Sequence, residues 1–151
     1  MKKRTVGRRV KIRRGEPGDA AAVAVLATQL GYPTTRAQAF QRLRRLSNSS
    51  RDAVFVTENR NEKVTGWVHV SMNDLLETGL RAEIHGLIVG EESRNEGTGA
   101  RLLRAAEKWA WAQGCDQVNL RSNVIRKRAH KFYLRQGYEH YKTQKAFRKK
   151  L

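Results

Sequence analysis

Six consecutive residues, Arg94-Asn95-Glu96-Gly97-Thr98-Gly99, carry the spacing in this chain best suited to holding a diphosphate. They follow Ile84, Leu87, Ile88 and Val89, an apolar run that suits a strand, and a first glycine at Gly90. They lead into Ala100-Arg101-Leu102-Leu103-Arg104, the opening of an amphipathic helix. Glycines at the mouth of a helix let the backbone come close to a ligand. The unbonded N–H groups of the first turn then attract phosphate, assisted by the helix dipole. Two familiar cradles are excluded: a dinucleotide G-x-G-x-x-G would need glycine where Leu102 stands, and there is no G-x-x-x-x-G-K-[ST] run. Other reactive residue types are sparse. The lone Cys115 cannot form an internal disulfide and has no partner base nearby in sequence, so it reads as a buried inert thiol at the start of a strand. No C-x-x-C, H-E-x-x-H or clustered Cys/His spacing occurs, and no metal is expected. His69, His130 and His140 belong to no motif.

The hexamer fits R/Q-x-x-G-x-G/A, and in this the chain resembles the GNAT family of N-acetyltransferases, whose pyrophosphate loop has that pattern. A second stretch agrees: Arg126-x-x-Ala129-His130-Lys131-Phe132-Tyr133-x-x-x-Gly137-Tyr138 is similar to the family's later helix, with a tyrosine four residues before a glycine and aromatic pair. A third is Ala82-Glu83-Ile84, with Glu83 eleven residues before Arg94. The resemblance covers about residues 10–147 and implies a direct transfer of acetyl from acetyl-CoA to a primary amine in a ternary complex. It implies that Arg94, Asn95, Glu96, Gly97, Thr98, Gly99 and Ala100 hold the diphosphate, and that Leu87, Ile88 and Val89 pair by backbone with the pantetheine arm. One N–H there, such as that of Val89, would hold the thioester carbonyl. Glu83 would be the general base, directly or through a water, because an amine is mostly ammonium at neutral pH; His85 on the same strand is a rival. Tyr133 would give a proton to the departing thiolate. The chain departs from the family seven residues before the tyrosine, where Arg126 replaces a frequent asparagine. Arginine reaches phosphate but accepts no hydrogen bond, so either Arg126 or the nearby Asn123 would serve the pantetheine.

Around these residues the periodicity sets out a scaffold. Val10-Lys11-Ile12 reads as a first strand, Asp19 as the N-cap of a helix over AAAVAVLATQL, and Thr34 or Thr35 as the cap of a second helix through about Leu46. Val54-Phe55-Val56 opens a meander. The next strand alternates Val64, Gly66, Val68, Val70 and Met72 against Thr65, Trp67, His69 and Ser71. A loop from Asn73 to Gly79 precedes the strand that feeds the glycine loop. A helix from about Gly97 to Gln113 then presents Leu102, Leu103, Ala106, Trp109 and Ala110 on one side. A strand at Val118 and Leu120, a helix from about Ile125 to Gln136 and a last strand through Tyr138 and Tyr141 complete the pattern. The expected fold is a single-domain α/β mixed sheet, an antiparallel meander followed by βαβ units with helices on both faces, over residues 10–151 after a basic tail at 1–9.

Charge bears on the partners. Thirty-one Lys and Arg against 14 Asp and Glu give +17, in clusters at the N-terminus, over Arg121 to Arg135 and over Lys142 to Lys150. Such clusters keep a small protein soluble and add weak attraction to polyanions, of which coenzyme A is one. They also raise an alternative, a basic nucleic-acid-associated binding module that retains the acyltransferase fold. The charge argues for an acceptor that is neutral or anionic apart from its amine, because a polycation would be repelled. No apolar run is long enough to span a bilayer, and the N-terminus has charge without the apolar core of a signal peptide, so a cytoplasmic location is expected, with the chain acting as a monomer or a homodimer and not at a membrane.

Overall fold

The structure is a computed structural model that describes residues 10–151; the expected basic tail at 1–9 lies outside the described residues. The chain forms two compact units, one through Arg121 and one from Ser122 to Leu151. The first holds a five-stranded sheet in simple sequence order: β1 (Lys11–Arg14), β2 (Asp52–Glu58), β3 (Val64–Leu75), β4 (Gly79–Val89) and β5 (Val118–Leu120). The first four are antiparallel neighbours, and β5 joins β4 in parallel across a right-length helical crossover, α3 (Thr98–Ala112). The mixed sheet therefore contains one βαβ unit rather than several. Residues 138–151, where a last strand was expected through Tyr138 and Tyr141, carry no strand. The aromatic alternation there lacks aliphatic residues and sits among five basic side chains, so it has little apolar face to bury.

Helices cover both faces of the sheet. On one face α1 (Ala20–Gln29) and α2 (Arg36–Ser47) bury Ala20, Ala24, Ala39 and Leu43 against Val54, while Leu26 packs with Val56, Val64 and Ile88. On the other, α3 buries Leu102, Leu103, Ala106 and Ala110, and Leu102 lies so close to Gly66 that a Cβ there would stand 3.2 Å from its Cδ1 and 2.8 Å from the Ile88 carbonyl. Trp109, expected in that stripe, is only half-buried, and Trp111 is exposed.

Local chemistry accounts for the element ends. Thr35 caps α2 with a reciprocal pair, its Oγ1 accepting from Gln38 N (3.2 Å) and its N–H donating to Gln38 Oε1 (3.1 Å). Asp19 precedes α1, but its carboxylate does not cap it. Arg13 takes both Asp19 oxygens at 2.8 Å and reaches Glu58 Oε2 at 2.6 Å, a charge-assisted fork that outcompetes a neutral N–H. The loop expected from Asn73 to Gly79 is shorter, since β3 continues to Leu75 and β4 begins at Gly79 with a left-handed glycine, φ 71°.

Candidate active site

The glycine loop leaves β4 at Gly90, whose N–H bonds the Thr65 carbonyl at 2.8 Å. A short 3-10 turn at Glu91–Ser93 follows, and Arg94 folds back so that its Nε donates to the Val89 carbonyl at 3.2 Å. Two residues then take left-handed backbone, Asn95 (φ 65°) and Gly97 (φ 76°). Asparagine tolerates that region and glycine is at ease in it. Gly97 is the N-cap of α3, and the first helical bond runs from Arg101 N to its carbonyl, so the N–H groups of Thr98, Gly99 and Ala100 lie ahead of the ladder. Nothing stands within 4 Å of where a Cβ on Gly97 would be. The buried Thr98 hydroxyl has no hydrogen-bond partner among the described residues. An open glycine, an unpartnered hydroxyl and a helix N-terminus fit a phosphate group.

Upstream of the loop, β4 has an open edge. Its ladder to β5 covers only Ala82–Ile84 against Val118–Leu120, so Leu87, Ile88 and Val89 pair with β3 on one side and with no described strand on the other. Ile88 is buried, while Leu87 and Val89 are half-buried.

The end of the sheet face beyond α1 and α2 carries polar side chains where a core would be apolar. Register places Asp52 opposite Ser71, Ser71 opposite Glu83 and Asn73 opposite Arg81, all on one face. A bulge between His69/Val70 and the Ile84–Gly86 stretch turns His85 to this same face. His85 Nε2 lies 2.6 Å from Ser71 Oγ, and its ring is 4.9 Å from that of His69. His69 Nε2 lies 2.8 Å from Asp52 Oδ1, and Asp52 also accepts from Ser49 Oγ at 2.7 Å. Gly86 is required at the bulge because the Trp67 ring lies over it, within 2.7 Å of where a Cβ would be. Glu83 is held between Arg121 Nε at 3.1 Å and Asn73 Nδ2 at 3.4 Å, beside Asn119, whose buried Nδ2 is unpartnered among the described residues.

The electrostatics separate these groups. Burial works to raise the Asp52 carboxyl, but the bonds from Ser49 and His69 prevail and hold it below the usual carboxylate value of 3.8. Partial burial, and then the neighbouring His69, hold His85 below its ordinary 6.5, against the pull of Glu83 and Asp52. His85 is thus neutral at neutral pH, with its outer part exposed. Asp52, His69 and Ser71 were not among the candidates that sequence alone supplied; the one signal was polar residues alternating through β3.

In the second unit, α4 (Lys127–Arg135) carries Tyr133, with edge-on contacts to Phe132 (5.2 Å between centroids) and Tyr138 (5.9 Å). Burial raises the Tyr133 phenol and Arg126 partly offsets it, so the hydroxyl keeps its proton. Ile125, expected on the buried stripe of this helix, precedes it and is 78% exposed. Arg126 is the helix N-cap residue. Asn123 Oδ1 accepts from Ile125 N at 3.2 Å, closing a local turn, so this oxygen is already engaged. Cys115 is buried just after α3, ahead of β5 rather than in it. Burial, then Asp116, raises its thiol, which is therefore inert.

Comparison with known proteins identifies the family and the fold. The chain matches the Acetyltransferase (GNAT) family over residues 21–138, across both units, and belongs to that family. An aminoalkylphosphonate N-acetyltransferase of Salmonella typhimurium (strain LT2) is 36% identical over 90 residues; the aligned part spans 58% of this chain and 58% of that one. Among solved structures, an aminoglycoside N-acetyltransferase in complex with CoA superposes with TM-score 0.87 at 16% identity, covering 98% of this chain and 99% of that one. The aminoglycoside antibiotic 6'-N-acetyltransferase of Acinetobacter baumannii gives 0.83 at 16% identity, covering 95% and 99%. A putative acetyltransferase of Agrobacterium tumefaciens gives 0.80 at 24% identity, covering 92% and 99%. These three likenesses concern the fold.

Proposed function

We propose that this protein is a cytoplasmic, acetyl-CoA-dependent N-acetyltransferase that transfers acetyl directly to the primary amine of a small acceptor bearing an anionic group. The observation that carries this reading is the Arg94–Ala100 loop, where left-handed Asn95 and Gly97 lead into a helix N-terminus with open space above the glycine. Family membership supports the reaction class. The acceptor class is supported by the net charge of +17 and by the Salmonella relative, whose substrate type joins an amine to a phosphonate.

In this reading Arg94, Asn95, Glu96, Gly97, Thr98, Gly99 and Ala100 hold the diphosphate by backbone N–H groups and the α3 dipole. The open edge of β4 at Leu87–Val89 pairs with the pantetheine arm, and a backbone N–H there holds the carbonyl oxygen as it gains charge. Asn123 or Arg126 adds a contact to that arm. Tyr133, kept protonated by burial, gives a proton to the departing sulfur. The polar face around Glu83 and His85 receives the amine and removes its proton. When bound, acetyl-CoA supplies an activated acyl thioester.

The test is acetyl-CoA consumption with a panel of amino acids, aminoalkylphosphonates, acidic peptides, polyamines and aminoglycosides. Turnover should concentrate on acceptors that pair an amine with an anion. Binding of acetyl-CoA without turnover on any amine would favour a binding module instead.

A further inference from the structure

We propose that His85 is the general base of this site, held in one tautomer by Ser71 and flanked by an Asp52–His69 pair, and that Glu83 is not the base. This rests on the proposed activity and sharpens it. The geometry separates the two candidates. Glu83 already has a cationic and an amide partner, Arg121 on Oε1 at 3.1 Å and Asn73 on Oε2 at 3.4 Å, so both of its oxygens are engaged. His85 meets Ser71, whose Oγ lies 2.6 Å from its Nε2. With Nε2–H donating to the nearly buried Ser71 hydroxyl, the lone pair of Nδ1 remains to accept a proton.

The charged and titratable groups facing His85 come from every neighbouring strand: His69 from β3, Asp52 from β2, Glu83 on its own strand and Arg121 after β5. Nε2 of the His69 ring, whose centroid is 4.9 Å from that of His85, is engaged by Asp52 at 2.8 Å. Partial burial, with His69 beside it, holds His85 below its ordinary 6.5, so the ring is neutral and able to accept. It is also exposed at its outer part, where an acceptor can reach it.

The balance of the step is simple. Nδ1 of His85 takes one proton from the acceptor ammonium, and the freed electron pair forms the C–N bond to the thioester carbon. The C–S bond breaks with its electrons on sulfur. The nitrogen's surplus proton balances the one the sulfur takes up, and His85 later releases its proton to solvent. The products are an amide and a free thiol.

Two measurements test this on the full chain. In 15N NMR of histidine-labelled protein, His85 should be neutral at neutral pH with the proton on Nε2. A charged ring, or a proton on Nδ1, would overturn the assignment without any turnover being measured. In the second, kcat/KM is followed against pH with acetyl-CoA and 2-aminoethylphosphonate, or whichever panel amine turns over. His85→Gln should lose on the order of 10²- to 10⁴-fold at neutral pH, recover partly as pH rises, and keep its acetyl-CoA affinity. The wild type should lose activity as pH falls through a value below 6.5. Normal turnover in His85→Gln, or an equal loss in Glu83→Gln, sinks the assignment alone. A wild type that acetylates no amine sinks the proposed activity and this assignment with it.

Discussion

The glycine loop follows the end of β4 while the polar face is built on the middle of that strand, around Glu83 and His85, and the two are made by opposite means. Around Gly97 the loop presents backbone N–H groups, placed by left-handed φ angles and a helix start, beside the Thr98 hydroxyl, which has no partner among the described residues. Around His85 the backbone supplies register and a bulge, and everything that could bind or react is a side chain brought from three strands. The first kind of site depends on conformation and the second on residue type. Substitutions that change one property and spare the other should therefore damage the two sites differently.

The largest effect on cofactor affinity is expected at the loop. Gly97→Val forces a β-branched residue into φ 76°, a strain of about 1–3 kcal/mol, and puts its side chain into the open space assigned to the diphosphate. Calorimetric titration should find acetyl-CoA affinity lowered by roughly a hundredfold, ~1.4 kcal/mol per tenfold, in a folded protein, while the backbone strain itself is read as a lower thermal midpoint. Gly99→Val, in the first turn of α3, should also weaken binding, by less. Unchanged affinity in both would remove the loop from the site.

A control sits away from both sites. Arg13 joins β1 to the turn before α1 and to β2 through Asp19 and Glu58. Arg13→Met leaves two carboxylates without their cation, and the thermal midpoint should drop by the equivalent of about 1–3 kcal/mol. The sign with pH follows from Asp19, whose folded value Arg13 holds below 3.8. That stability is fully present above 3.8 and is lost as pH falls from there through the lower folded value, so wild type and variant should converge in acid. Unfolding monitored by circular dichroism across that range would check it.

The two sites also differed in how far the sequence revealed them. Glycines at Gly90, Gly97 and Gly99 before an apolar stripe signal a loop and helix start locally, and Thr35 announces its cap in the same way. The Asp52–His69 and Ser71–His85 pairs join residues 17 and 14 apart, and the second depends on a bulge that no local pattern marks. Asp19 was legible as a cap position but not as a partner of Arg13, since the competing guanidinium comes from another element. The aromatic alternation at Tyr138 and Tyr141 suggested a strand, yet periodicity alone does not provide a neighbouring strand to bond.

A smaller effect is expected at Glu83. As the partner of Arg121 rather than the base, Glu83→Gln should lower kcat/KM within about tenfold, well short of the range for a general base, and leave the acid limb of the pH profile in place. Because the change releases Arg121, KM for an anionic acceptor should fall or hold rather than rise. A loss above a hundredfold, with the acid limb abolished, would return the role of base to Glu83.

The mildest prediction concerns the field at the polar face. Arg81 and Arg121 border the face that carries Asp52 and Glu83, and each of these carboxylates has a partner, His69 for Asp52 and Arg121 for Glu83. With the local acids engaged and the chain at +17, an acceptor's anionic group should be drawn in and a polycation repelled. Surface fields fade beyond roughly 10 Å at 0.1 M salt, so KM for 2-aminoethylphosphonate should rise several-fold from low to moderate ionic strength while kcat stays level. A polyamine or aminoglycoside should show the reverse trend from a much lower kcat/KM. Measuring the salt series for both classes separates attraction from fit, because shape complementarity does not change with salt. If a polycation were preferred and salt weakened it, the carboxylates of this face would have to be free to meet it, which would also break the Arg121–Glu83 and His69–Asp52 pairing on which the assignment of His85 depends.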